Sequence, residues 1–302
     1  MQLLKDLQEI YSNDRWGARL GIEISDISPE SIRLHLPFQQ QNMNLGGRMH
    51  GGVLASVLVD AAKLLAQSQC LNNAPLNWRV IDYQINYLRA GGPEALEATA
   101  TVTRRTREFL FCRCEIHTLQ DSSPLAVADV LIRIYDPASI PPTTRHQQQP
   151  YQGELLTDQS IAENAPNKNM VDMFNQMMSQ LYPGSTVYYM EDGHAEMIQD
   201  DFPDQYDFQD NISAGQLLLF FDNVSGCSGG SLADGMGIAV TLTIQATFCE
   251  SARNEKLIGI SKVYQREDGL THNDVKIIGA ESKQLKMFGT MTHLARPFKK
   301  SS

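Results

Sequence analysis

The sequence has few basic residues and no long basic run. Its 302 residues carry 25 lysines and arginines against 35 aspartates and glutamates, which gives a formal net charge of −10. The densest basic cluster, at 104–107, is too short to follow a nucleic acid backbone. The acidic balance also opposes binding to an anionic membrane surface. These counts predict no nucleic acid partner and no electrostatic attachment to a membrane.

Cysteine is scarce too, and several functional signatures are missing. The five cysteines match no zinc spacing, so we expect reduced, apolar side chains and no metal ion or other cofactor. We expect neither a nucleophile elbow nor a phosphate-binding loop in this chain. The N-terminal residues do not have the pattern of a signal peptide, and no stretch approaches a transmembrane span. The sequence therefore predicts a cytoplasmic protein.

The same order of predicted secondary-structure elements occurs twice in the chain. Residues 20–135 and 185–290 each read as strand, polar loop, apolar helix and then three or four strands. The apolar helices are predicted at 53–66 and 215–224. Alternating strands are predicted at 79–89 and 237–249, and the last strand of the second copy is predicted at 282–288. A helix that is apolar on all sides must be buried, so each copy is expected to wrap an antiparallel sheet around its helix. The fold class is therefore α+β.

The domain boundaries follow from composition. A stretch rich in proline, glutamine, threonine and asparagine separates the copies. We predict an N-terminal domain at 1–136, a linker at 137–168 and a C-terminal domain at 169–302, which begins with a short helix at 170–181. Two such units can pair side by side as the subunits of a homodimer do, so further homo-oligomer formation is optional.

A glycine-rich loop lies directly before the first apolar helix. It reads Asn44-Leu-Gly-Gly47-Arg-Met-His50-Gly51-Gly52. Glycines let a ligand approach the backbone, and a helix N-terminus offers unpaired N–H groups. Together they could bind a thioester carbonyl and stabilise its oxyanion, while Asn44 and His50 supply donors or brace the loop. A plain glycine-rich turn before a helix is the alternative interpretation.

Two helix carboxylates compete for the role of catalytic acid. Asp222 is the only charge in the second apolar helix, and burying it requires a reason such as the activation of a water molecule. The alternative is an acid at the helix edge, bonded to backbone or to Asn223. Asp60 lies three residues before Lys63, so we expect a paired acid at the edge of the first helix.

The loop motif N-x-x-G-x-x-H-G-G before an apolar helix resembles hotdog thioesterases, including the phenylacetate-pathway type. In that type the helix acid lies one residue nearer to the histidine than Asp60 lies to His50. The run MHGGVLASVLVDAA, followed by VIDYQINYLRAGGP, is similar to the first repeat of the double-hotdog acyl-CoA thioesterase II family. The resemblance implies two antiparallel sheets, each wrapped around a long apolar helix and paired about a pseudo-twofold axis.

The resemblance also implies site residues. It makes Asp222 the acid that activates water, helped by a threonine and a glutamine on later strands, which map onto Thr241 and Gln284. Thr243 is the alternative to Thr241, because residues two apart share a strand face. The residues expected to polarise the carbonyl are His50 and Gly51. The residues assigned to substrate binding are Asn44, Gly47, Gly52, Asp60 and Thr243.

Three functions stay open at this point. The first is hydrolysis of an acyl-CoA or acyl-carrier thioester that enters between the copies, in lipid metabolism. The second is an acyl-thioester hydratase or dehydratase, although the fragment Gln209-Asp210-Asn211 lacks the histidine of that motif. The third is a non-catalytic acyl-binding protein, because the second copy has Ile212-Ser213-Ala214 where the first has His50-Gly51-Gly52.

Overall fold

The structure is a computed structural model of the chain. It describes residues 2–44, 46–71, 76–139, 150–153, 155, 171–172, 174–176, 182–232 and 237–297. Most of the linker predicted at 137–168, and most of the helix predicted at 170–181, lie outside these residues. The domain boundaries therefore stay predictions.

The first half contains three helices and six strands. Its helices are α1 (Gln2–Tyr11), α2 (Arg15–Leu20) and α3 (Gly51–Leu71). Its strands are β1 (Glu23–Ile27), β2 (Ser31–Leu36), β3 (Asn77–Tyr87), β4 (Leu96–Arg105), β5 (Phe109–Thr118) and β6 (Ala126–Tyr135). Nearly every residue of α3 is buried, as expected for a helix that is apolar on all sides.

The described residues of the second half contain one long helix and six strands. The helix is α4 (Ala214–Gly230). The strands are β7 (Ser185–Glu191), β8 (His194–Gln199), β9 (Gly237–Phe248), β10 (Leu257–Glu267), β11 (Leu270–Gly279) and β12 (Leu285–Pro297). Both long helices extend beyond the predicted 53–66 and 215–224, and β12 runs well past the last strand predicted at 282–288.

The strands form one continuous antiparallel sheet of twelve strands. Its order is β1-β2-β4-β5-β6-β3-β9-β12-β11-β10-β8-β7, which is the same sequence of equivalent strands read from either end. The expected two separate sheets are corrected here, because β3 pairs directly with β9, from Asp82 opposite Thr247 to Asn86 opposite Thr243. Alternating strands with one buried face can share a core across such a junction.

The two long helices cross closely at their N-terminal ends. A Cβ atom added to Gly52 would lie 2.8 Å from the Leu219 Cα, and one added to Gly215 would lie 2.9 Å from the Ser56 Cβ. The Ser56 hydroxyl lies 2.7 Å from the carbonyl oxygens of Gly52 and Gly215 and can donate to either. Both glycines are needed for this approach, which brings each helix N-terminus against the other half.

Isolated bridges show which loop positions correspond in the two halves. Met43 pairs with Met49 in the first loop, and Tyr206 pairs with Ile212 in the second. Ile212 therefore corresponds to Met49, and Ser213 takes the place of His50. The earlier alignment of Ile212 with His50 was wrong by one residue.

Helix α3 is long and apolar enough to cross a membrane by length and composition alone. The expectation that no stretch approaches such a span is therefore corrected. In this fold 89% of the most apolar window of α3 is buried inside the protein, where the helix forms the centre of the first half.

Candidate active site

The buried carboxylate of Asp222 receives hydrogen bonds from both halves of the chain. Its Oδ2 accepts from the Gly52 amide at 2.8 Å, at the start of α3. Its Oδ1 accepts from the Thr241 hydroxyl at 2.7 Å, on β9. The side chain is only 6% exposed, so these two donors offset the loss of hydration. The Gly52 contact also places the carboxylate at the positive end of the α3 dipole.

The His50 ring caps the same helix end. Its Nδ1 accepts from the Gly52 amide at 3.0 Å and lies 3.5 Å from the Asp222 Oδ2. Burial lowers the pKa of His50 below its usual value, although Asp222 and Asn223 oppose that shift. A neutral ring that accepts at Nδ1 carries its proton on Nε2. The contact with Asp222 is therefore not an ion pair.

The backbone of Gly51 lies against the carboxylate. A Cβ atom at this position would lie 3.1 Å from the Asp222 Oδ2. The Tyr87 hydroxyl donates to the Gly51 carbonyl at 2.8 Å and so fixes this peptide. Among the described residues, the Gly51 amide has no hydrogen-bond acceptor. A free amide at a helix N-terminus, beside a carboxylate, can stabilise a developing oxyanion.

Asn44 and Gly47 shape the loop. The Asn44 Oδ1 accepts from the amides of Gly46 and Arg48, at 2.9 and 3.1 Å. Gly47 has a φ of +66°, a conformation that favours glycine. Of the two roles considered for Asn44, the geometry therefore favours bracing the loop.

The structure brings Thr241, but not Gln284, to Asp222. Gln284 lies in the turn between β11 and β12, where its carbonyl accepts from the Gly279 amide. Thr243 lies beyond the point where the register of β9 and β12 shifts, opposite Asn86 and Thr292, and makes no hydrogen bond to Asp222. Of the two threonines, only Thr241 contacts the carboxylate.

Asp60 belongs to a separate, buried cluster. The Lys63 Nζ lies 2.8 Å from Asp60, 3.5 Å from Asp207 and 3.9 Å from Asp14. The Tyr11 hydroxyl donates to Asp60 at 3.2 Å. The predicted pairing with Lys63 is present, but the predicted position at a helix edge is wrong because Asp60 is 0% exposed. Its ionic partners, and not substrate contacts, account for its burial.

Asp14 gives this cluster a pH dependence. Burial raises the pKa of Asp14 from 3.8 to about 7, although Lys63 opposes the shift. The folded chain therefore binds the proton more tightly than the unfolded chain does, and this contribution to the free energy of unfolding is lost as the pH rises from about 4 to about 7.

We expect Asp14→Asn to reduce the fall in stability over that pH range. Asparagine keeps the cap that Asp14 supplies to the Gly17 amide but has no proton to lose. Urea unfolding at a series of pH values measures the effect. An unchanged slope in the variant would show that Asp14 is not the titrating group.

A narrow cleft with a cavity volume of about 20 Å³ opens beside the residues around Asp222. Its lining includes Val53, Tyr182, Leu219 and Asn223. The Tyr182 ring packs edge-on against His50, with ring centroids 5.0 Å apart. The cleft therefore reaches the first turn of α3 and the residue after Asp222.

One buried histidine near Asp222 is not among the site residues predicted from the sequence. His293 lies on β12 directly opposite Thr241 and is 0% exposed. The signal that could have found it is the alternation of Met287, Met291 and His293, all buried on one face of β12.

Solved structures show the fold class. The tesB protein of Mycobacterium avium subsp. paratuberculosis has a TM-score of 0.61 at 12% identity, covering 97% of this chain and 100% of that chain. A hotdog-fold protein of Alicyclobacillus acidocaldarius has a TM-score of 0.60 at 11% identity, covering 94% of this chain and 98% of that chain. The class defined by the fold is therefore the tandem hotdog.

Sequence relatives identify the family. Residues 39–133 match the acyl-CoA thioesterase N-terminal domain. The medium/long-chain acyl-CoA thioesterase YigI of Escherichia coli is 31% identical over 113 residues, covering 32% of this chain and 72% of that protein. A Halobacterium salinarum protein is 31% identical over 88 residues, 28% of this chain, and the match spans 58% of its length. The chain belongs to the acyl-CoA thioesterase family, and the predicted enzyme class, thioester hydrolase, is confirmed.

Proposed function

We propose that the protein hydrolyses acyl-CoA thioesters with a water molecule activated by Asp222, at the interface between two hotdog units paired about a pseudo-twofold axis. The observation that carries the proposal is the hydrogen bond from the Gly52 amide of the first half to the Asp222 carboxylate of the second. Neither half contains this arrangement alone. The acyl-CoA class follows from family membership and from the name of the relative YigI.

The chemistry balances without a cofactor. Asp222 accepts a proton from water as the water oxygen bonds to the thioester carbonyl carbon, so a tetrahedral intermediate forms. The Gly51 amide donates to the oxyanion, and the α3 dipole adds to this stabilisation. When the carbon–sulfur bond breaks, the thiolate leaves and takes up the proton held by Asp222. The products are a carboxylic acid and a free thiol.

Thr241, His50 and Gly52 act by holding Asp222 and the helix end in place. The Thr241 hydroxyl donates to one carboxylate oxygen, and the Gly52 amide donates to the other. Because both contacts are made to oxygen atoms of the base, they fix its rotation and leave the remaining lone pairs for water. The neutral His50 ring supports the first turn of α3 from the side.

The test is release of free thiol from a panel of acyl-CoA thioesters of increasing chain length, with an acyl-carrier thioester in parallel. Hydrolysis of one or more acyl-CoA compounds is the expected result. Binding of acyl-CoA without thiol release would instead support an acyl-binding protein. Hydration of an enoyl-CoA with its thioester left intact would support a hydratase.

We expect Thr241→Val to lower kcat by about 10- to 100-fold, since a hydrogen bond to a charged group contributes about 1.5–3 kcal/mol. Valine keeps the shape and removes the donor to Asp222. Thr243→Val is the matched comparison on the same strand and should have the smaller effect. A larger loss in Thr243→Val would assign the role to the other threonine.

A further inference from the structure

The two halves provide an internal comparison for the residues around Asp222. Register shifts mark equivalent points in the strands. In the pairing of β3 with β6, the register shifts by one residue between Val80 and Asp82. In the pairing of β9 with β12, the register shifts in the same way between Thr241 and Thr243. Val80 therefore corresponds to Thr241.

The partners of these two residues correspond as well. Val80 lies opposite Ile132, and Thr241 lies opposite His293. A second pair of shifts, after Val102 in β4 and after Val263 in β10, gives the same alignment of the strands. His293 is thus the counterpart of Ile132.

The same alignment extends to the helix and the next strand. With Met49 matched to Ile212, Asp222 corresponds to Val59. Thr271 lies opposite His293, as Leu110 lies opposite Ile132. At the aligned positions, the second half has four polar residues, which are Asp222, Thr241, Thr271 and His293. Their apolar counterparts in the first half are Val59, Val80, Leu110 and Ile132. An apolar set fills this space in the first half, so packing alone does not require the polar one.

His293 is the least satisfied member of the polar set. Both of its ring nitrogens are buried without a hydrogen-bond partner in the described part of the protein. The Thr271 hydroxyl on the opposite strand is also buried without a partner, whereas the hydroxyls of Ser228 and Ser261 lie 2.6 Å apart and Asn273 donates to Ser228 at 2.6 Å. A buried polar group without a partner costs about 1–3 kcal/mol, so an imidazole here needs a reason.

The surroundings of His293 indicate what that reason is. Burial lowers the pKa of His293 to about 4, while the nearby charge of Asp222 acts in the opposite direction. The ring is therefore neutral near pH 7, with one N–H donor and one acceptor. Polar groups that interact beyond direct hydrogen-bond distance are commonly joined by a water molecule.

We propose that His293 is a catalytic residue that holds the attacking water together with Asp222. The inference rests on the proposed function. The water donates one hydrogen to the Asp222 carboxylate and accepts a hydrogen bond from the His293 N–H. Its remaining lone pair is then directed to the thioester carbonyl carbon. The imidazole neither gains nor loses a proton in this step, so it orients the water while Asp222 takes the proton.

The test combines turnover with stability. His293→Leu places an aliphatic side chain at this position, as the first half does with Ile132. We expect kcat to fall by about 10- to 100-fold with KM little changed, as for the loss of an oriented hydrogen bond in the transition state. The thermal unfolding midpoint should stay equal or rise, because a buried group without a partner is removed. His293→Gln restores a donor and should recover part of kcat.

His272→Leu is the matched control, because His272 lies on the adjacent strand, next to Thr271, and its partner is Thr292. It should keep wild-type turnover. Wild-type kcat in His293→Leu, or joint loss of turnover and folding in both His293 variants, would overturn the inference. If the wild-type protein released no thiol from acyl-CoA, the proposed function itself would fail and the inference with it.

Discussion

Replacing Asp222 with asparagine is expected to lower kcat by about two orders of magnitude or more, as the loss of a general base does. The asparagine amide can keep both contacts, since its oxygen accepts from the Gly52 amide and its nitrogen donates to the Thr241 hydroxyl. The site then keeps its shape but has no group to take the proton from water. A steady-state thiol-release assay of the folded variant measures the effect.

Asp60→Asn is the matched control for this prediction. Asp60 is also a buried helix aspartate, but its partners are Lys63 and Tyr11. We expect it to alter stability and leave kcat nearly unchanged. If Asp222→Asn kept wild-type turnover while Asp60→Asn lost it, the active site would belong to the other half of the pseudo-dimer and the assignment of Asp222 would be wrong.

Replacing Lys63 with methionine is expected to lower the free energy of unfolding by about 3–5 kcal/mol, because it leaves buried carboxylates without their cation. Lys63 is 1% exposed and is within 4 Å of three carboxylates, those of Asp14, Asp60 and Asp207. The loss should be larger at pH 8 than at pH 5, since burial raises the pKa values of Asp14 and Asp60 and favours their neutral forms as the pH falls. Chemical unfolding at both pH values measures it.

An exposed ion pair gives the comparison for Lys63. Lys256 lies 2.7 Å from Asp200, which is close to the distance between Lys63 and Asp60. The side chains of Lys256 and Asp200, however, are each about half exposed. Lys256→Met should leave the unfolding midpoint nearly unchanged because water screens such pairs. Equal losses in the two variants would mean that burial does not set the strength of the Lys63 cluster.

Periodicity was enough to predict the elements that surround the site. The apolar runs indicated α3 and α4, and strict alternation indicated β3 and β9, because one face of each strand packs on a helix. The glycine loop and Asp222 were found for a related reason, since a lone charge in an apolar helix has a desolvation cost that must be offset. These features depend on residues close together in the chain.

The end of β12 shows where such a pattern fails. Gly289 interrupts the alternation, so the predicted strand stopped at 288 and His293 was left outside it. The structure explains the glycine, because a Cβ atom there would collide with the Gln245 backbone of β9. That contact joins residues far apart in the chain. The sequence assigned Gln284 to the residues around Asp222, but the structure places it in the turn before β12. That assignment also depended on where β12 begins, which the local pattern does not determine.

The burial of Asp60 could not be predicted from the sequence either. The spacing of Asp60 and Lys63 predicts a pair on a helix, and such pairs usually lie at the surface. Asp14 and Asp207, which enclose this pair, come from an N-terminal segment and from the second loop. Only the crossing of the two halves brings these groups together.

The fusion of two halves into one sheet changes how the protein can vary. In a symmetric homodimer every substitution occurs twice, so a residue cannot be improved for chemistry in one subunit and for packing in the other. Here each position occurs once. The first half can hold Val59, Val80 and Ile132 while the second holds Asp222, Thr241 and His293 at the corresponding positions. The chain can therefore lose one reaction centre and use that volume for stability, without loss of the other.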